Sequence, residues 1–495
     1  MKYPARLSRL LVAATALSLT LLTSVSAQDI TVAVGVEPTT LDPLISEDGG
    51  ERAVGRNIFD TVLARTAAGD IVPNVAEALP KQLDPTTWEI KIRPGITFHN
   101  GEPLDAAAVA FSINHLVDPA FKSRQLLYFS TLASAEAVDD RTVRITTKAP
   151  DPALPARLAF LSVVPPKAAV GADFASKPIG SGPFRFVGWD RGNQIRLERN
   201  DGYWGAKPDF AKATFRFVQE PGVRVAGLQA GEFDIVTQLP PESVKDVPKT
   251  ESEFGELMTV SLNAKLGLTQ DRRVRQALNY AIDKKALAED LFLGEARPMT
   301  SQLLGTNWFG FNDQLGEWPY DPEKARKLLE EAGAIGKPID LVGTAGRWLK
   351  GREIVDAMAA YWEAVGLKPQ VKILAWTDYL ATLRNRAADP SARFVGHSNL
   401  LFDADRTTTS YYEPGGGSNA FDSDELKKLV NAARYETDPA KRLDLYRQIT
   451  KIGSDEALFI FLIQTADIYG LSKRVEYKPR ADGLLILRDA KLVGN

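Results

Sequence analysis

The stretch LMTVSLNAKLGLTQDRRVRQALNYAIDKKAL, from Leu257 to Leu287, decides how the chain is organised. Leu257 to Leu262 is short and apolar and lies between Gly255 and Asn263, which reads as a buried strand. Asp271 is placed to cap the helix that follows. Val274, Leu278, Ala281, Ile282 and Leu287 fall on one helical face, with Arg272, Arg273, Asp283 and Lys284 mostly off it. A strand and helix here mark a crossing point, where the chain leaves one lobe and enters another. Ala466 to Leu471 is a second such crossing. Two crossing strands make a hinge, with the chain from Asn263 to about Tyr469 forming one lobe.

Working outward, the two flanks differ in pattern. Toward the N-terminus the chain is rich in strands: Asp29 to Val36, Thr87 to Phe98 broken at Pro94-Gly95, Val143 to Thr147, and the strand–turn–strand of Ile179 to Gly205. A helix is expected over Glu51 to Leu63, and another from Asp105 to Leu116. Toward the C-terminus strands and helices alternate, as in an α/β lobe. DPEKARKLLEEAG, Asp321 to Gly333, has an Asp cap, Pro at the first helical position and Gly at the end. The fold class expected is therefore α/β.

At 495 residues, 44% hydrophobic and 25% charged, the chain has ordinary globular composition and material for several domains. Residues 1–27 read as a secretory signal. Lys2, Arg6 and Arg9 precede an apolar run over Leu10 to Leu22, and Val25-Ser26-Ala27 offers small residues for cleavage. The run is shorter than the ~20 residues a spanning helix needs. Cleavage would remove those three cations and no acid, taking the formal net charge from −3 to −6. An acidic chain is a poor partner for nucleic acid. There is no cysteine, hence no disulfide, thiolate site or lipid-bearing residue. The expected location is the periplasm, free of the membrane.

Catalytic signatures are missing: no Gly-x-Ser-x-Gly, no phosphate loop ending Gly-Lys-Ser/Thr, no His-Glu-x-x-His. His99, His115 and His397 show no metal-ligand spacing, and no cofactor is expected. What remains are aromatic side chains in loops, among them Tyr128, Trp348, Trp376, Tyr411, Tyr412 and Tyr469. Gathered in one cleft they would wall a ligand site with a few polar anchors. Arg347, in the glycine-bearing loop Gly343-Thr-Ala-Gly-Arg-Trp, is a candidate for an anionic group on the ligand.

Seven motifs in this order resemble the bacterial extracytoplasmic solute-binding proteins of family 5, the peptide/nickel-type receptors of ABC importers. They are LDP at 41–43, RNIFDTVL at 56–63, FHNGEPLDAAAVAFS at 98–112, IGSGPFRFVGW at 179–189, RNDGYWG at 199–205, RVRQALNYAID at 273–283 and YDPEKARKLLEEAG at 320–333. The resemblance implies a type II, cluster C fold of two hinged lobes, with an extra domain inserted in the first. It places lobe I at 28–56, 174–262 and 472–495, the inserted domain at 57–173 and lobe II at 263–471. It also implies a monomer that closes around a small-molecule or peptide ligand and hands it to membrane permease subunits served by cytoplasmic ATPases. By position it puts Glu47 and Gly49, after LDP, and Trp376 and Tyr469 against the ligand. The segment GHSNLLFD at 396–403 departs from the family pattern. His397 stands where peptide receptors carry Trp, and Leu400 where they carry the Asp that meets the α-ammonium. His397, Asn399, Leu400 and Asp403 are the ligand-facing candidates of this loop. Either Asp403, Asp405 or Glu47 takes over the ammonium, or the ligand is neutral or anionic, which the substitution at the anchor favours. Opines, oligosaccharides, a nickel or haem cargo and a hydrolytic activity are the alternatives.

Overall fold

The structure is a computed structural model and describes residues 29–46, 49–344, 347–383, 389–416 and 418–493. The signal segment and Glu47 lie outside the described residues.

An 11-stranded sheet runs through the molecule. Its middle is two long strands, Lys249–Ser261 and Phe459–Leu471, each of 13 residues and antiparallel to one another. On one side Phe459–Leu471 pairs with Ile235–Val236, and then come Asp29–Val34, Lys212–Phe217, Gln194–Arg199 and Phe184–Asp190. On the other side Lys249–Ser261 pairs with Ala392–His397, followed by Pro338–Thr344 and Lys368–Leu374. Both strands therefore serve both halves of the sheet. The apolar pattern starts the first strand at Leu257, with Gly255 as its boundary. In the structure Gly255 is a bulge inside the strand, where the register shifts between Phe254 and Glu256.

A separate 4-stranded antiparallel sheet, built from residues 81–147, packs with the first half in one apolar core. The second half has two further cores, one under the sheet and one among the helices of residues 299–461. Leu400 and Leu401 come from the second half of the chain but pack in the first core.

The helix starts follow the caps. The Asp321 carboxylate accepts from Lys324 N at 2.9 Å, and Pro322 opens the helix Pro322–Glu331. Gly333, at φ +60, ends it. The helix expected over Glu51 to Leu63 is Gly49–Ile58, and Leu63 already belongs to a strand. The helix after Asp271 stops at Tyr280, and a second start follows at Asp283, whose carboxylate accepts from Ala286 N. Lys284, expected off the buried face, is buried, with its ammonium on the carbonyls of Asn279 and Trp318. Burial pulls its pKa down to about 8. No helix among the described residues is long and apolar enough to cross a membrane.

Candidate functional site

The two crossing strands supply the floor of the site. Residues paired across antiparallel strands share a face, so Glu253 lies with Asp467, and Glu256 with Thr465. Glu253 and Glu256 are three apart and would face opposite ways in an unbroken strand. The bulge at Gly255 turns Glu256 onto the face that carries Asp467 and Tyr469.

Glu256 and Asp467 are half-buried. The Glu256 carboxylate accepts from Trp348 Nε1 at 2.9 Å. This bond passes over Gly396, where an added Cβ would lie 2.3 Å from that nitrogen and 2.7 Å from the carboxylate. Only glycine fits there. Asp467 Oδ2 sits 3.4 Å from the place a Cβ on Gly255 would take, and 3.5 Å from that of Gly483. Neither carboxylate has an ion-pair partner among the described residues. Burial lifts the Glu256 carboxyl above its ordinary range, with Arg347 opposing and Asp467 adding to the rise. Burial lifts Asp467 too, against the pull of Arg52.

Arg52 stands on the helix Gly49–Ile58, close enough to act on Glu256, Asp467 and Tyr469 alike. From the second half comes an aromatic wall. The Arg347 guanidinium lies 5.6 Å from the Trp348 ring centre and 5.4 Å from that of Trp376. Trp376 stacks on Tyr379 with centres 5.6 Å apart. Among the described residues neither Arg52 nor Arg347 has a hydrogen-bond or ion-pair partner. Tyr469 is 5% exposed, and its hydroxyl also lacks a hydrogen-bond partner among the described residues. Burial, Tyr477, Asp467 and Asp482 hold its pKa well above the usual phenol range.

The remaining sequence candidates have other surroundings. Residues 396–405 are the end of a strand, a short loop and the start of the helix Ala404–Tyr411. Asp403 caps that helix, accepting from Asp405 N, and both its oxygens take Arg442 nitrogens at 2.7 Å. Asn399 pins the loop through Asp403 O and Thr407 Oγ1. His397 is buried against Trp308 and Tyr411, with Nε2 2.9 Å from Thr407 Oγ1, and burial holds its pKa well below 6.5. Gly49 is exposed at the first turn of its helix.

Asp405 reaches across between the halves. Its Oδ2 accepts from Arg157 Nη2 at 2.7 Å, and Arg434 Nε lies 3.4 Å from Oδ1. Arg157 is held on its other side by Asp151 at 2.8 Å. Next to this pair the Arg406 guanidinium lies 4.6 Å from the Tyr128 ring centre, and Arg65 donates to Leu401 O at 2.8 Å. Lys350 and Glu242 meet at 3.0 Å. Tyr411 lies within electrostatic reach of Arg406, Tyr128 and Glu256, which ties this contact to the floor.

The structure thus gathers Arg347, Trp376 and Tyr469 near the floor, with Tyr128 joined to them through Tyr411. Asp403 is occupied internally, and Leu400 lines a small cavity with Phe59, Arg65 and Arg480. A larger cleft of about 440 Å³, lined by Trp88, Phe309, Phe402 and Arg442, opens between the 4-stranded sheet and the second half. Sequence reasoning missed Arg52, Glu256 and Asp467. Asp467 was visible as an acid inside an apolar strand segment and Glu256 as one just before another, but the two acquire meaning only with the register, and Arg52 on its helix only with the fold. No group of three or more His, Asp or Glu among the described residues is arranged to hold a metal ion.

The family model for bacterial extracellular solute-binding proteins, family 5, matches residues 70–450. The chain belongs to this family. It is similar to the glutathione-binding protein GsiB of Pectobacterium atrosepticum, 29% identical over 490 residues, covering 94% of this chain and 95% of the relative. Among solved structures it resembles NikA from Brucella suis in complex with Fe(III)-EDTA, with a TM-score of 0.86 and 22% identity over 94% of this chain and all of that one. The periplasmic binding protein DppA from Helicobacter pylori, in complex with the peptide STSA, gives 0.81 and 23%, covering 94% and 98%. The fold of this solute-binding protein is accordingly the two-lobed type II fold, with the crossing strands as its hinge. Its family consists of binding proteins, not enzymes.

Proposed function

We propose that this chain is the periplasmic substrate-binding component of an ABC importer, capturing a peptide or peptide-like solute between its lobes. The observation that carries this reading is the family match, extended by a mixed-charge, aromatic-walled face at the hinge. Such a face suits a polar solute with apolar parts. The GsiB relatives, named for glutathione, point to the same class of solute. Export by the N-terminal signal and delivery to permease subunits in the inner membrane complete the role, and the receptor works as a monomer without catalysing turnover. Mass spectrometry of small molecules released from the denatured protein, followed by calorimetry with the compound found, tests it. Saturable one-to-one binding without conversion is expected. Turnover of the compound, or no bound or bindable solute, would overturn it.

A further inference from the structure

At position 400 an ammonium group finds only the Leu400 side chain, and Asp403 and Asp405 are taken by arginines. An ammonium enclosed between lobes needs an anion, because an unpaired buried charge is costly. The hinge face does hold two neighbouring carboxylates, Glu256 and Asp467, that have no ion-pair partner among the described residues. Two arginines with no hydrogen-bond or ion-pair partner among the described residues flank them, Arg52 from one lobe and Arg347 from the other. Tyr469, a residue only 5% exposed whose hydroxyl has no hydrogen-bond partner among the described residues, belongs to the same face. These acids and arginines lie within electrostatic reach of one another but form no direct ion pair among the described residues, and charged groups left without hydrogen-bonded counterparts are costly once enclosed, so an arrangement of this kind is completed by a ligand that carries both charges.

We propose that Glu256 and Asp467 bind the ammonium of the solute, and that Arg52 and Arg347 bind its carboxylates. The ligand class is therefore a zwitterion with separated charges: one ammonium and one or two carboxylates, as in a short peptide with both ends free. This rests on the solute-receptor reading and adds to it where the amino end is read. The anchor has moved from the 398–403 loop to the hinge strands, and the Gly255 bulge makes the move possible by turning Glu256 onto the face of Asp467. The aromatic rings of Trp348 and Trp376 then cover the apolar middle of the ligand, and closure of the lobes brings Arg52 and Arg347 to the same molecule.

Calorimetry with reduced glutathione and trialanine, each also N-acetylated and each also as C-terminal amide or ester, tests this. At least one of the two free forms should bind, and acetylation should weaken it by roughly tenfold or more. The E256Q/D467N variant should lose that preference while still binding the acetylated form, which shows that it folds. R52A and R347A should each narrow the gap between free acid and amide. Equal binding of free and acetylated forms would overturn the proposal while leaving the receptor reading intact. An E256Q/D467N variant that keeps the full preference would do the same. If none of the peptides binds, the proposal falls, and the mass spectrometry described above judges the receptor reading separately.

Discussion

Replacing Asp405 by Asn tests how the lobes hold together. Asp405 meets Arg157 across the cleft at 2.7 Å, and both side chains are almost wholly enclosed, at 8% and 2% exposure. Arg157 keeps Asp151 at 2.8 Å in the variant, so no bare guanidinium is left behind. The loss is then one charge-assisted hydrogen bond between the halves, about 1.5–3 kcal/mol, and opening of the lobes is expected to break this contact. In the open form Asp405 retains Arg434 and gains water. A solute that requires closure should therefore bind roughly 10- to 150-fold more weakly, at ~1.4 kcal/mol per decade. The amide nitrogen would also confront Arg434 or Arg157, so the upper part of that range is expected. Calorimetry gives the affinity, and small-angle scattering with and without solute gives the change in radius of gyration. In the wild type the radius should shrink on binding. In Asp405→Asn more solute should be needed for the same shrinkage. Unchanged affinity together with unchanged compaction would refute the idea that this pair stabilises closure.

Asp403→Asn should act on stability instead. Breaking a buried bidentate pair with Arg442 costs about 3–5 kcal/mol, read as a fall of several degrees in melting temperature with solute affinity little changed. Affinity loss at constant melting temperature would instead assign Asp403 to the ligand. Arg347→Ala should cost about 1.5–3 kcal/mol of binding, by loss of a charged hydrogen bond, and normal calorimetry of that variant would place Arg347 on the surface. The pH profile should separate grip from closure. Burial raises Glu256 and Asp467, so their hold on an ammonium weakens as pH falls through that raised range. Against the desolvation of burial, Arg157, Arg442 and Arg434 keep Asp405 below the usual carboxylate range, so its bond persists until the pH is lower still. On acidification, affinity should decline before the Arg157–Asp405 pair is lost; simultaneous loss would contradict the assignment.

The α/β class, the two crossings and most helix starts were legible, because caps and periodicity are local signals. Asp321, Asp105 and Asp271 cap where the sequence put them. The strand lengths were not legible. Phe459–Leu471 reads as two pieces around Gln464-Thr465, and only pairing with Lys249–Ser261 makes it one. The site divided in the same way. Trp376, Arg347 and Tyr469 stood out by type and position. The acidic pair did not, since Glu256 lay just outside the expected strand and Asp467 inside another 211 positions away in number. The loop at 396–405 misled for a related reason. A carboxylate on a loop looks free until the arginine that binds it, 39 residues on in the case of Asp403, is folded against it.

The placement of Phe459–Leu471 also bears on when the molecule can fold. This strand lies between Lys249–Ser261 and Ile235–Val236, yet it follows both by some two hundred residues. Neither lobe can complete its sheet until that late segment is present, and contacts so distant in sequence form slowly. A chain built this way stays unfinished through most of its synthesis. The same strand that joins the lobes in the finished receptor also sets the moment at which either lobe can be finished.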